Sequence, residues 1–179
     1  MEANDVLEFW AGIGKRGWWT KSDDIDAQIH ERFGELHTQA CEGKLDYWAE
    51  TPDGALALII VLDQFSRNMF RGSPKSFEQD EKALSVAKSA IASDIDKQAN
   101  KELRLFFYLP YEHSEKLTDQ EESVNLLNSF NDSPEFMKAV IEHHDIIKQF
   151  GRFPHRNAVL GRETKPEEQA YLDSGGFKG

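Results

Sequence analysis

The chain has 179 residues, 39% of them hydrophobic, and sets 32 acidic side chains against 21 basic ones for a formal net charge of −11. A chain of this length is expected to form one domain, residues 1–179, burying roughly 70% of its unfolded surface. The acidic balance speaks against binding nucleic acid or an anionic membrane surface, both of which draw on a basic face.

Taken in order, the segments read as helices, with little strand alternation. MEANDVLEFWAG lacks the basic and long apolar regions of a secretory signal. Asn4 is placed to cap a first short helix with Val6, Phe9 and Trp10 on one side. From Ser22 to about Glu42, Ile25, Ile29, Phe33, Leu36 and Ala40 recur at helical steps, and Gly43 supplies the left-handed residue at the end. Cys41, the single cysteine, excludes an internal disulfide and a cysteine-rich zinc module, and suits a reducing cytoplasm. Thr51 and Pro52 open a third helix that runs through ALALIIVLDQFSRNMFRG to Gly72. Its eight-residue apolar run, 55–62, is far short of the roughly 20 residues a membrane span needs.

A fourth helix is expected over Ser76 to Ser93, with Ala83, Leu84, Ala87 and Ile91 inward. ELRLFFYL makes a fifth, ended by Pro110. Thr118 and Glu121 form a capping box for a sixth, apolar at Val124, Leu127 and Phe130. Ser133-Pro134 starts a seventh through Val140, His144 and Ile147 to Gly151, and Thr164 with Glu167 caps a short last helix. The expected fold is all-α, about eight helices in antiparallel pairs. No clean 34-residue repeat is present.

Three stretches concentrate chemistry. In the third helix, Asp63, Gln64, Arg67, Asn68 and Arg71 fall on one face, opposite Leu62, Phe65 and Met69. This face is either solvated or the wall of a polar site, and Arg, Gln and Asn are less usual on a solvated face than Lys and Glu. PYEHSE brings His113 and Glu115 as candidate base and acid beside Ser114, which lacks the surroundings of a nucleophile elbow. In FGRFPHRN, Pro154 can open a helical turn whose outward N–H groups near His155, Arg156 and Asn157 would attract anions.

Between His143 and Arg162 the basic residues are Lys148, Arg152, Arg156 and Arg162, against Asp145 alone. Two explanations stand: internal pairing with acidic residues of other helices, or a cleft for a small anionic molecule. His113, Glu115, His143, His144, Asp145 and His155 have no recognised metal spacing, so no metal site is assigned.

LDQFSRNMFRGSP, LPYEHSE and FGRFPHRNAVLGRETKPEE closely resemble an uncharacterised bacterial family, the domain of unknown function 924, from VLEFW to the GGF at 175–177. The second motif departs slightly, the family more usually having Met or a similar residue where this chain has Tyr111-Glu112. The resemblance implies an all-helical fold of the tetratricopeptide-like superfamily and no particular reaction or cofactor. The family's typical polar positions correspond to Asp63, Gln64, Arg67, Asn68, Arg71, His113, Ser114, Glu115, His144, Arg152, His155, Arg156 and Asn157.

The reading that follows is a cytoplasmic protein with an Arg- and His-lined site for a small anionic ligand. His113, Glu115 and His155 are its candidate acid–base residues. Asp63, Gln64, Arg67, Asn68, Arg71, Ser114, His144, Arg152, Arg156 and Asn157 are its candidate binding residues. The alternative is an interaction module without activity, whose groove would draw on Trp18, Trp19 or Trp48.

Overall fold

The computed structural model describes residues 1–130 and 134–178. Helices and short 3-10 turns account for its regular structure, with no strand among the described residues. The chain divides into two compact units: Met1–Arg71 with Lys75–Pro110, and Gly72–Pro74 with Tyr111–Gly179.

In the first unit, α1 spans Ala3–Trp18 and α2 spans Asp23–Cys41. Asn4 lies inside α1 and bonds Glu8 instead of capping; Asp5 accepts the Glu2 N–H at the helix start. The helix is also longer than expected and kinks at Gly14. Ser22 caps α2 through the Ile25 N–H, and Gly43 follows it with φ +81. Thr51 and Pro52 open α3, Pro52–Ile59, as their chemistry predicts.

The long third helix is not uniform. After α3 the backbone widens into a π segment, Ile60–Phe65, before α4, Ser66–Met69, closes it. Every residue from Ala55 to Leu62 is at most 1% exposed, so this rod is the centre of the unit. It packs on α1 and on α5, Asp80–Ala92, whose inward residues include Ala83, Leu84 and Ala87. Ala90 is buried there, and Ile91 only partly so. Phe9, Phe33, Phe65, Trp10, Trp18 and Phe106 interlock around it, with centroids 4.9–6.4 Å apart. Such edge-on and tilted pairs add to the area they bury.

The expected fifth helix is instead a 3-10 turn, Arg104–Phe107, followed by α6, Leu109–Glu112. Pro110 does not end it but sits in the first turn of α6, where its missing N–H costs nothing.

In the second unit, α7 (Leu117–Phe130) packs along α8 (Pro134–Phe150). Thr118 lies inside α7, and the turn before it is held by Ser114, which accepts the Lys116 N–H. The side chain of Phe130, and Ser133, are outside the described residues. Leu127, Val140, Ile146 and Ile147 are buried. The last helix, α9, spans Pro166–Asp173, and its N-terminal carboxylate is Glu168, one residue beyond the expected Glu167. Glu168 also serves the site.

Candidate functional site

In the first unit, the polar face of the third helix turns out to be an internal ion-pair network. Asp63 is fully buried and bonded by Gln64 at 2.5 Å and Arg67 at 3.0 Å. Arg67 forks onto both oxygens of Asp80 on α5, at 2.9 and 3.1 Å. Asn68 and Arg71 converge on Asp26 of α2. These side chains tie α2 and α5 to the rod.

Beside them lies a group that carries no sequence signal. His37 Nε2 is 2.8 Å from Ser66 Oγ, and Ser66 Oγ is 2.6 Å from the Leu62 carbonyl. A hydroxyl has one hydrogen and the carbonyl can only accept, so Ser66 donates to Leu62 and His37 donates to Ser66. His37 Nδ1 is then left to accept the Cys41 S–H at 3.5 Å. Burial lowers the His37 pKa. The chain Cys41–His37–Ser66–Leu62 therefore braces the π segment, and its polarity is the reverse of what activating Ser66 as a nucleophile requires.

The second unit holds the other two motifs. α8 ends at Gly151, with φ +70, and Pro154 starts a 3-10 turn, Pro154–Arg156. The N–H groups of Arg156 and Asn157 are spent inward on the Phe153 and Pro154 carbonyls, so the expected outward donors are not presented there. Two arginines of this segment are fully engaged. Arg152 forks onto Glu168, which also takes Asn157 Nδ2 at 3.0 Å and the Lys165 N–H at 2.8 Å. The Arg152 bonds, ahead of the opposing effect of burial, bring the Glu168 carboxyl down to about 2.

Arg162 forks onto Glu115 at 2.7 and 3.0 Å, and Glu115 takes the Phe153 N–H at 2.8 Å. Burial would raise the Glu115 pKa, but Arg162 and the Phe153 N–H together hold it below the ordinary carboxylate value. Glu115 thus stays an anion that clamps the turn, which suits it poorly to donating a proton. Ser114 donates to Asp119 at 2.7 Å, and His144 Nδ1 lies 2.9 Å from its exposed neighbour Asp145. Gln120, completely buried and without a sequence signal, gathers the carbonyls of Tyr111, Glu112 and Ser114.

What remains is assembled by Phe153, whose ring is completely buried. Arg156 lies over it at 4.6 Å and donates to the His113 carbonyl at 3.1 Å. His143 and His155 both sit 5.5 Å from it. Phe177 closes the group, 4.5 Å from His143 and 5.0 Å from His155. Its N–H donates to the Tyr171 hydroxyl, and Tyr171 packs on Phe150. A Cβ on Gly176 would come within 2.5 Å of the Tyr171 ring, so this approach needs glycine. Burial first, and then the Arg156 charge, push the His155 pKa down to about 3. Its imidazole is neutral at pH 7, and its Nδ1 is buried without a hydrogen-bond partner.

Of the residues singled out in the sequence, His155 and Arg156 meet at Phe153, and Glu115, Arg152 and Asn157 lie in the clamps beside it. Arg162 is weighed there only as part of the positive run and His143 only as a metal ligand, while Glu112 and Glu168 have no role assigned. Spacing to FGRFPHRN could have flagged His143, which lies about two α-helical turns before its first residue, Phe150. Among the described residues no three His, Cys, Asp or Glu side chains gather in a metal-binding arrangement, and no helix is long and apolar enough to cross a membrane. Trp18 and Trp48 are core residues, leaving Trp19 as the exposed member of the expected groove.

An all-helical chain with this arrangement has relatives. Residues 6–176 match the family described as bacterial protein of unknown function, DUF924, and the chain belongs to it. The structure is similar to that of the protein of unknown function ATU0120 from Agrobacterium tumefaciens, with a TM-score of 0.92 and 39% identity over 97% of each chain. A comparison with curated proteins gave no match.

Proposed function

We propose that the second unit carries a site for a small anionic ligand, a carboxylate or a phosphate, centred on His155 and Arg156, with acid–base chemistry at the imidazoles. One observation carries this reading. His155 is neutral, and its buried Nδ1 lacks a partner, in a cluster where Glu115 and Glu168 are engaged by arginine. An unpartnered buried polar atom costs about 1–3 kcal/mol, so a ligand oxygen meeting it is favoured. The neighbouring Arg156 favours a ligand that is negative. The acidic composition and single cysteine suit such a protein working in the cytoplasm.

Calorimetric melting of the purified chain with inorganic phosphate, acetate, citrate and glycolate tests the reading. A ligand at 100 times its dissociation constant stabilises by about 2.7 kcal/mol, which in a chain of this length raises Tm by roughly 5–10 °C. The expected outcome is a rise with one class of anion that is absent in His155→Gln and Arg156→Gln. Flat melts across the panel, or an equal rise in both variants, would overturn it. Binding at His155 also stabilises its protonated form, so affinity is expected to increase as pH falls from 7 towards 5.

A further inference from the structure

His143 lies within α8 with its side chain 12% exposed. Its Nδ1 is 2.8 Å from the carbonyl oxygen of Ala139, one turn earlier, and 3.1 Å from Oε1 of Glu112. A carbonyl can only accept, so Nδ1 carries a hydrogen whatever the charge on the ring. In the neutral ring the lone pair is then confined to Nε2, and that is the nitrogen able to take up a proton. A carboxylate on the Nδ1 side fixes the ring and stabilises the imidazolium that forms. Glu112 is itself only 6% exposed, so its charge acts on His143 with little solvent screening.

The position of the pair adds to its orientation. The His143 ring meets the edges of Phe153 and Phe177, the two rings that also hold His155. Two imidazoles in one aromatic enclosure thus have different surroundings. One is beside a carboxylate, and the other is beside Arg156. Environments that separate two titratable groups in this way commonly divide acid and base roles between them.

We infer that Glu112 and His143 form an oriented acid–base pair of the site, with His143 Nε2 accepting a proton from the ligand and Glu112 positioning the ring. The ligand class this fits is a small oxyanion that still carries an ionisable O–H, such as monoprotonated phosphate or a hydroxycarboxylate. In the step, the ligand O–H bond breaks and a new N–H bond forms at Nε2. The bonding electron pair stays on the ligand oxygen, where Arg156 stabilises the added charge. The ligand in this inference rests on the small-anion reading above, whereas the pair itself rests on the geometry around Nδ1.

The test is a nitrogen-resolved NMR titration of the histidine rings in the full chain, with Glu112→Gln and Glu112→Met. Glu112 lies against His143, and His155 shares its enclosure, with Arg156, Glu115 and Arg162 acting on His155 in turn; only Glu112 is altered. In the unaltered protein the neutral His143 ring is expected as the Nδ1–H form. Its midpoint is expected to fall by about one pH unit, a tenfold loss of proton affinity, in both variants. An Nε2–H form in the unaltered protein overturns the pair, as does a midpoint unmoved in a folded variant. Inorganic phosphate and glycolate are then added. Ring signals that do not respond sink the small-anion reading, while the tautomer and midpoint decide the pair without any ligand.

Discussion

Phe153 has no ionisable group, yet it places five that do. Its N–H anchors Glu115, its carbonyl takes Arg162, and its ring carries Arg156 on one side and two imidazoles at its edges. Converting Glu115 to Gln removes the charge that Arg162 forks onto while keeping the shape. The expected cost is about 2 kcal/mol, the worth of a charge-assisted hydrogen bond, read from the denaturation midpoint at pH 7. A loss within 0.5 kcal/mol of zero would show the clamp to be dispensable.

The same residues set a pH response. His155 titrates near 3 in the fold against an ordinary 6.5, so the unfolded chain binds more protons between those values. Its contribution to stability is complete above pH 6.5 and is lost as pH falls through 3. Glu168, at about 2 against 4.5, contributes above pH 4.5 and is lost as pH falls through 2. Buried His37 acts with the same sign as His155. Stability is therefore expected to fall from pH 6.5 downward, and the slope between 6.5 and 4.5 should be shallower in His155→Gln. Equal slopes would show His155 to be protonated as easily in the fold as outside it.

At the scale of elements, the sequence disclosed the helices whose ends have local chemistry. Ser22, Thr51 with Pro52, Gly43 and Gly151 mark boundaries because capping and left-handed φ are properties of single residues. It did not disclose the π segment at Ile60–Phe65, because that segment begins inside the apolar run 55–62, which has no periodicity from which a change of helical pitch can be read. Nor did it show that Arg67 and Arg71 are consumed by Asp80 and Asp26. Those partners are far off in sequence, and spacing along one helix is silent about the next. The site was half legible for the same reason. FGRFPHRN names its positive groups, but Glu168, the carboxylate that neutralises Arg152, comes from outside it, as do both members of the Arg162–Glu115 fork. The π segment itself supports a prediction. Ser66→Ala leaves the His37 N–H and the Leu62 carbonyl buried without their shared hydroxyl, at an expected cost of about 1–3 kcal/mol. Far-ultraviolet circular dichroism against urea measures it, and an unchanged midpoint would mean that the π turn holds without its brace.

For the molecule as a whole, net charge and site charge act on different scales. The −11 total is spread over a surface where a Debye length of about 8 Å confines each charge to its neighbourhood at physiological salt. Arg156 is thereby able to favour an anion locally despite the overall sign. His155 and Glu168, two groups with large acid-sensitive shifts, lie in the second unit. Hydrogen exchange at pH 4.5 is accordingly expected to lose protection in α7, α8 and α9 before α3. Uniform loss across both units would show instead that they unfold as one cooperative body.

All four tryptophans, at 10, 18, 19 and 48, fall within Met1–Arg71, and the second unit has none. Ultraviolet emission from this protein is thus a private signal of the first unit. Ligand capture around His155 would pass unseen in an intrinsic-fluorescence assay unless it changed the folding of the first unit. A tryptophan placed at Phe177, the ring between the two imidazoles, would put a reporter in the site itself. Because protonated imidazole quenches indole emission, its brightness against pH would read the charge on His143 and His155 optically.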